Sequence, residues 1–127
     1  MIKVALAQDQ LLFRNGIRMI IDRMTDIELV HEADNVQKLF KLMNKEGPPD
    51  VALVDLKMPY AIDVELLEGI RKKYPDLKVL VFMMQTNYTL INIIKELGGS
   101  GYLLRDTNAK QLETAINKVY RAGFYFP

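Results

Sequence analysis

Apolar and polar residues follow two alternating periodicities along the chain, and together they predict five strands and five helices. Short runs rich in β-branched residues, typical of strands, alternate with longer stretches in which apolar residues recur every three or four positions. The predicted strands are residues 2–7, 27–33, 51–55, 77–83 and 101–104. The predicted helices are residues 11–24, 36–46, 64–74, 88–97 and 109–122. Asn35, Asp63 and either Asp106 or Asn108 are placed to cap the second, third and fifth helices.

The order of these elements predicts the fold. A strand–helix unit repeated five times gives a parallel sheet with helices on both faces and right-handed connections. Residues 27–33 alternate apolar and polar side chains, as an edge strand does, whereas residues 51–55 are almost wholly apolar and belong in the centre. The strand order 2-1-3-4-5 satisfies both, so we expect an α/β doubly wound (βα)5 three-layer sandwich of the flavodoxin-like class.

The composition limits the class of protein. The 127 residues fit one domain, 1–127, and their net charge of +1 offers no field for nucleic acid or an anionic membrane. The chain has no cysteine, which excludes disulfide frameworks and thiol catalysis. It carries no signal-peptide pattern at its N-terminus and no apolar stretch long enough to cross a membrane, so we expect a cytoplasmic protein.

Polar side chains gather at the predicted carboxyl ends of the central strands. The first strand runs into Gln8 and Asp9, and the third ends at Asp55. These strands are neighbours in the predicted order, at the edge where open α/β sheets bind ligands. Two carboxylates held close together repel unless a cation lies between them, and Mg²⁺ prefers such oxygen ligands. The residues therefore predict a small cation site beside Asp55, a carboxylate that can act as a nucleophile.

Structural roles are the alternative for several polar residues. Asp9 can simply cap the helix that follows, and Arg105, at the end of the fifth strand, can be solvated or part of a structural ion pair. His31, the sole histidine, lies on the predicted edge strand, where we expect a surface residue rather than a catalytic one. The glycines within residues 98–101 precede a strand, so they indicate a helix end rather than a phosphate-binding loop.

Several stretches of the chain resemble one known family closely. They are Val4–Gln10, Phe13–Gly16, Glu32–Ala33, Pro49–Pro59, Tyr74–Val81 and Gly98–Asp106, at matching spacing across essentially the whole chain. On these residues the chain resembles the receiver domain of bacterial two-component response regulators. It is most similar to the LuxR/NarL/FixJ-type branch, whose members usually carry a C-terminal helix-turn-helix.

The resemblance implies a phosphorelay mechanism. A sensor histidine kinase or a small phosphodonor would transfer a phosphoryl group to Asp55, and Mg²⁺ would be held by Asp9, Asp55 and the backbone carbonyl of Lys57. The aromatic residue at the position of Tyr102 would move inward on activation and change the partners of the output surface. The domain would be a signalling module and not an enzyme, and DNA would be bound only by a further C-terminal domain.

Three residues depart from the family pattern. Gln8 stands where an acid is usual, and its amide oxygen is a weak candidate ligand for the ion. Met83 stands where a Ser or Thr hydroxyl grips the phosphoryl group, and Arg105 stands where a lysine is usual. Two functions therefore stay open: a receiver domain that accepts phosphate on Asp55, and a phosphate-independent atypical receiver that acts as an interaction or dimerisation module. A flavin-binding flavodoxin-like protein is a third, more distant alternative.

The end of the chain, Gly123–Pro127, carries three aromatic residues. So much apolar surface should pack onto the domain, form an interface or lead into a further domain. The resemblance implies that a DNA-binding domain follows, with residues 1–127 as the N-terminal part of a longer transcriptional regulator and a homodimer as one of its assemblies.

Overall fold

Strands and helices alternate along the whole of the computed structural model, which describes residues 1–56 and 60–127. The strands are β1 (Ile2–Ala7), β2 (Ile27–Ala33), β3 (Val51–Asp55), β4 (Lys78–Met83) and β5 (Gly101–Leu104). The helices are α1 (Leu11–Asp22), α2 (Val36–Glu46), α3 (Ala61–Lys73), α4 (Tyr88–Glu96) and α5 (Ala109–Ala122). Among the residues described, none of the helices combines the length and hydrophobicity needed to cross a bilayer.

The strands form one parallel sheet in the order β2-β1-β3-β4-β5. This is the predicted order, and the predicted flavodoxin-like α/β fold is confirmed. β2 lies at one edge, as its alternating pattern indicated, and the first four residues of β3 are buried in the centre. The winding of the chain reverses between β1 and β3, and sheets of this kind bind their ligands at the carboxyl ends of such a pair.

Two hydrophobic cores form because successive residues of a strand point to opposite faces of the sheet. Leu53 and Leu80 pack with the apolar faces of α1 and α5. Ala52 and Val79 point the other way and pack with residues of α2, α3 and α4. Both faces of the sheet are therefore covered, which leaves the strand ends as the place where a ligand can reach it.

Three helices start at asparagine caps. The side-chain oxygens of Asn35, Asn87 and Asn108 accept hydrogen bonds from the backbone N–H three residues later, at 2.8, 3.0 and 2.8 Å. Asn108 also forms a reciprocal capping box with Gln111, so it caps α5, and the alternative cap Asp106 does not.

Four helix boundaries differ from the prediction, namely the end of α1, both ends of α3 and the end of α4. The prediction that Asp63 caps α3 is wrong, because Tyr60 occupies the N-cap position and Asp63 lies in the first turn. A carboxylate in that turn still interacts favourably with the positive end of the helix dipole, so the same residue supports an earlier start. α1 ends at Asp22, two residues before the predicted end at Met24.

His31 is buried, with 8% of its surface exposed, and the expected surface placement is wrong. Its Nε2 lies 2.8 Å from the backbone oxygen of Gly47, and its Nδ1 lies 3.7 Å from a carboxylate oxygen of Glu46. Gly47 is the C-cap of α2, with a positive φ of 100°. The histidine therefore joins the edge strand to the end of the neighbouring helix.

The aromatic end of the chain packs along the free edge of β5. Tyr125 forms a parallel bridge with Gly101, and its backbone N–H donates to the oxygen of Ser100 at 2.7 Å. The hydroxyl of Tyr102 donates to the backbone oxygen of Pro127 at 3.0 Å, while Phe126 packs against the core. Tyr125 and Phe126 therefore pack onto the domain, one of the three roles expected of this segment, whereas Phe124 is 56% exposed.

Candidate functional site

Gln8 and Asp55 meet at the carboxyl ends of β1 and β3. The parallel register pairs Ala7 with Val54, so the next residue on each strand also lies side by side. The side-chain N–H of Gln8 donates to Oδ2 of Asp55 at 2.8 Å. Gln8 is 1% exposed and the Asp55 side chain 9%, so this contact is largely shielded from water.

The Gln8 amide is oriented by its neighbours. Its Oε1 accepts a hydrogen bond from the backbone N–H of Gln10 at 3.0 Å, which leaves the side-chain NH₂ facing Asp55. The guanidinium of Arg14 donates to the backbone oxygen of Gln8 at 2.9 Å. Because Gln10 has only an N–H to offer at this contact, the reverse orientation of the amide would place two donors against each other. The Gln8 oxygen is thus engaged away from Asp55.

Arg105 brings the positive charge to the site. Its Nη2 forms an ion pair with the same Oδ2 of Asp55 that Gln8 contacts. Its Nη1 lies 3.3 Å from Oε1 of Gln10 and 3.3 Å from the sulfur of Met84, and its guanidinium stacks 5.7 Å from the ring centroid of Phe13. The alternative of a solvated arginine is therefore wrong, because the side chain is paired with Asp55.

Asp9 follows Gln8 on the exposed side of the strand end. The N-cap position of α1 is Gln10, so the alternative of a capping role for Asp9 is not realised. The prediction for Lys57, whose backbone carbonyl the resemblance assigned to Mg²⁺, falls outside the described residues. Because Asp9 comes just after the end of β1 and Asp55 ends the neighbouring parallel strand β3, both lie at the same end of the sheet, as predicted.

The contacts of Gln8 and Asp55 do not present their side-chain oxygen atoms as a Mg²⁺ site requires. Gln8 offers Asp55 an N–H group instead of its oxygen, and Arg105 already holds the same carboxylate oxygen. Within residues 1–56 and 60–127, no three His, Cys, Asp or Glu side chains are grouped as a metal site. A hard cation needs oxygen ligands, so the Gln8 amide and the paired oxygen of Asp55 do not fit it in this arrangement.

A cavity of about 410 Å³ opens beside Asp55 and is lined in part by Tyr60, Met83 and Arg105. Met83 is 4% exposed, and its side chain belongs to the hydrophobic core. It offers no hydrogen-bond donor to a ligand in the cavity, unlike a hydroxyl at that position. Met83 thus lines the cavity at the position where the resemblance implied a hydroxyl that binds the phosphoryl group, and it presents a thioether there.

Tyr102, the predicted switch aromatic, is 6% exposed and is not among the residues that line this cavity. Its ring centroid lies 6.2 Å from that of Phe126, and its hydroxyl is held by Pro127. The structure therefore brings Gln8, Asp55 and Arg105 into contact, and places Tyr102 against the end of the chain.

A sequence profile described as "Response regulator receiver domain" matches residues 4–117. The chain belongs to this family. Receiver domains generally bind Mg²⁺ at the phosphorylation site, interact with histidine kinases or phosphodonors, and occur in regulators that often dimerise. The resemblance seen in the sequence is confirmed.

Relatives of this receiver domain include transcriptional regulators. The transcriptional regulatory protein DegU of Brevibacillus brevis is 32% identical over 98% of this chain and 52% of its own length. The oxygen regulatory protein NreC of Staphylococcus carnosus is 31% identical over 97% of this chain and 57% of its own length. The chain therefore spans about half the length of these relatives.

Solved structures share the fold of this receiver domain. A LuxR-family two-component response regulator from Aurantimonas is 26% identical, with a TM-score of 0.85 over 98% of this chain and 88% of that chain. The isolated receiver domain of RcsB from Salmonella enterica, at 21% identity, has a TM-score of 0.88 over 100% of this chain and 93% of that chain. The second likeness supports the fold alone.

Four further residues surround Arg105 and Gln8, and the sequence did not single them out for the site. Gln10, Phe13 and Met84 contact the Arg105 side chain, and Arg14 contacts the backbone of Gln8. Gln10, Phe13 and Arg14 belong to the start of α1, immediately after the strand end. The signal in the sequence that could have identified these three residues is their position directly after the predicted end of the first strand.

Proposed function

We propose that this receiver domain accepts a phosphoryl group on Asp55 and uses it to change an output surface. The observation that carries the proposal is the contact between Asp55 and Arg105, which places a nucleophilic carboxylate and a fixed positive charge at the ligand-binding end of the sheet. The domain acts in phosphorelay signalling and is not itself an enzyme.

The chemistry of the step follows from these two side chains. A carboxylate oxygen of Asp55 forms a bond to phosphorus, the bond from phosphorus to the donor breaks, and the electron pair leaves with the donor. Such transfers are accelerated chiefly by positioning and by positive charge near the phosphoryl oxygens. Arg105 can supply that charge because its planar guanidinium holds more than one oxygen.

One atom of Arg105 favours an anionic ligand. Among the described residues, its Nε is a buried nitrogen that has no hydrogen-bond partner. A buried donor left unpaired costs free energy, so an oxygen acceptor placed there would be stabilised. A phosphoryl oxygen on Asp55 is such an acceptor. The proposal routes no step through Mg²⁺, because Gln8 and Arg105 already hold the Oδ2 atom of Asp55.

The output of the domain is proposed to run through Tyr102 and the end of the chain. Tyr102 on β5 contacts both Phe126 and Pro127, so a movement of its ring would alter how the C-terminal segment packs. Because related regulators extend well beyond the matched region, the receiver is proposed to be the N-terminal part of a longer cytoplasmic transcriptional regulator. DNA would then be bound by the further domain.

The partners follow from the same proposal. A sensor histidine kinase or a small phosphodonor supplies the phosphoryl group, and a second copy of the regulator is a further partner. This domain itself contacts neither nucleic acid nor a membrane in the proposed pathway, since its net charge is only +1.

The proposal is tested by incubating the folded chain with acetyl phosphate, with and without Mg²⁺, and recording its intact mass. The expected result is the addition of one phosphoryl group to the wild type and to Asp106→Asn, and none to Asp55→Asn. Asp106 is a matched control because it is an exposed carboxylate next to Arg105. A folded wild type that gains no mass at high donor concentration would refute phosphorylation.

The phosphate-independent alternative makes the opposite prediction in the complete regulator. There, Asp55→Asn would leave signalling intact if the domain acts by partner binding alone. Loss of signalling in that variant, with Asp106→Asn unaffected, would exclude the alternative.

A further inference from the structure

The charge of Asp55 is already paired with a positive side chain of the protein. The Asp55 carboxylate accepts two hydrogen bonds on one oxygen, one from the neutral Gln8 amide and one from the Arg105 guanidinium. Asp55 and Arg105 form a neutral pair, of which Asp55 is 9% and Arg105 22% exposed. The pair therefore carries no net charge that an added cation would balance.

Gln8 keeps a second negative charge away from Asp55. A carboxylate at its position would face Asp55 closely, and two like charges in a shielded place repel unless a cation separates them. The amide removes that repulsion and replaces it with a hydrogen bond of 2.8 Å. Its orientation is fixed by the backbone N–H of Gln10, so the amide oxygen cannot turn toward an ion without leaving that donor unpaired.

Arg105 adds a second obstacle to a cation. A divalent ion bound to Asp55 would lie close to the guanidinium that contacts the same carboxylate, and like charges would repel. Arg105 is held in place by further contacts with Gln10 and the Phe13 ring. Displacing it would therefore break several interactions at once.

We infer that Gln8 and Arg105 hold Asp55 in a metal-independent state, so that this receiver domain does not take up Mg²⁺ at Asp55 as its family generally does. This inference does not depend on the proposed function, because it concerns the unphosphorylated domain. In this inference Gln8 excludes the metal, and the backbone N–H of Gln10 positions the Gln8 amide.

The test compares the wild-type chain with the Gln8→Glu variant, which keeps the size of the side chain and replaces the N–H donor with a carboxylate. Mg²⁺ is added at constant ionic strength, and binding is followed by the amide NMR signals of residues 8 and 55 and by thermal unfolding. Gln85→Glu is the matched control, because Gln85 is exposed and lines the same cavity without contacting Asp55 through any hydrogen bond described.

The expected result is no saturable shift in the wild type or in Gln85→Glu at millimolar Mg²⁺. Gln8→Glu should be less stable without the ion and should regain several degrees in Tm as it saturates, because binding to the folded state alone stabilises it. Saturable wild-type shifts at residues 8 and 55 would overturn the inference. If neither the wild type nor Gln8→Glu responds, the assignment of metal exclusion to Gln8 is overturned.

Discussion

Arg105 and Asp55 form a contact whose energy can be measured apart from any signalling. Replacing Arg105 with Met keeps much of the side-chain bulk but leaves the Asp55 carboxylate, 9% exposed, with only the Gln8 amide as a described donor. We expect the free energy of unfolding to fall by about 1.5–3 kcal/mol, as is typical for hydrogen bonds to a charged group. Urea denaturation of Arg105→Met measures this loss.

A double-mutant cycle with Asp55→Asn separates the pair energy from lost packing. The double variant should be less destabilised than the sum of the singles, by about 0.5–3 kcal/mol, because the residues are in contact. Lys38→Met is the control, since Lys38 forms an exposed pair with Asp34 at 3.0 Å and should lose only about 0.5 kcal/mol. Strict additivity of the Arg105 and Asp55 changes would contradict the pairing.

His31 shows what a residue pattern does not reveal. Its place on the alternating edge strand suggested exposure, yet the ring lies over the end of α2 and is buried against the oxygen of Gly47. We expect His31→Leu to lower the free energy of unfolding by about 1–3 kcal/mol, because a carbonyl oxygen loses its donor. Acetyl phosphate labelling of Asp55 should be unchanged, and a parallel loss of labelling would contradict a purely structural role.

Asp55 itself was predictable from the sequence, and the orientation of Gln8 was not. A carboxylate at the end of an apolar run is a local signal, and the strand order places it at the switch point of the sheet. The direction of the Gln8 amide depends on the N–H of Gln10 and the carboxylate of Asp55 together. Such a three-way contact has no signature in the spacing of residues along one strand.

The C-terminal segment Gly123–Pro127 depends on a single glycine in β5. A Cβ added to Gly101 would lie 1.9 Å from the backbone oxygen of Tyr125, a distance that forces the backbone to move. We expect Gly101→Ala to detach the segment and to lower the free energy of unfolding by about 1–3 kcal/mol, the usual cost of overpacking. Hydrogen exchange at the Tyr125 amide measures the detachment.

Gly16 supplies the control for that substitution. It lies in α1, and no atom lies within 4 Å of a Cβ added there, so Gly16→Ala should be neutral or stabilising by up to about 1 kcal/mol. Unchanged protection of the Tyr125 amide in Gly101→Ala would show that the segment tolerates the added methyl group.

Helix starts agreed with the prediction where one side chain caps the backbone N–H three residues on. The start of α3 differed, because its candidate cap is equally suited to the first turn of the helix. Asn35 and Asn108 cap helices by accepting a hydrogen bond from the backbone N–H three residues on. Asn35 was the predicted cap, and Asn108 was one of two candidates beside Asp106. For α3, Asp63 satisfied the same rule, but it also suits the first turn, and the helix starts at Ala61. The packing of Tyr125 on β5 was one of three open roles, because the presence of aromatic residues does not by itself predict which surface they contact.

The topology of the whole molecule was predictable because two signals agreed. The alternating strand at residues 27–33 had to be at an edge, and the apolar strand at residues 51–55 had to be central. Coupling between Asp55 and Tyr102 is harder to derive. Asp55 lies at the carboxyl end of β3, and Tyr102 lies on the edge strand β5. Met83, at the end of the intervening strand β4, belongs to the buried core.

Met83 is where we expect that coupling to be limited. A threonine at this position would offer a donor to a phosphoryl oxygen on Asp55, across the cavity that both residues line. Since a charge-assisted hydrogen bond contributes about 1.5–3 kcal/mol, Met83→Thr should speed acetyl phosphate labelling roughly 10- to 100-fold. Its stability should fall by about 2 kcal/mol, because a buried side chain becomes smaller.

Met83→Leu separates the hydroxyl from the change in packing. It conserves volume and apolar character, so its labelling rate should match the wild type, and its stability should change by less than about 1.5 kcal/mol. Hydrogen exchange at Tyr102 and Tyr125 before and after labelling then measures transmission to the C-terminal segment, which should be larger in Met83→Thr than in Met83→Leu. Equal labelling and equal exchange in the two folded variants would place the limit on coupling elsewhere than at Met83.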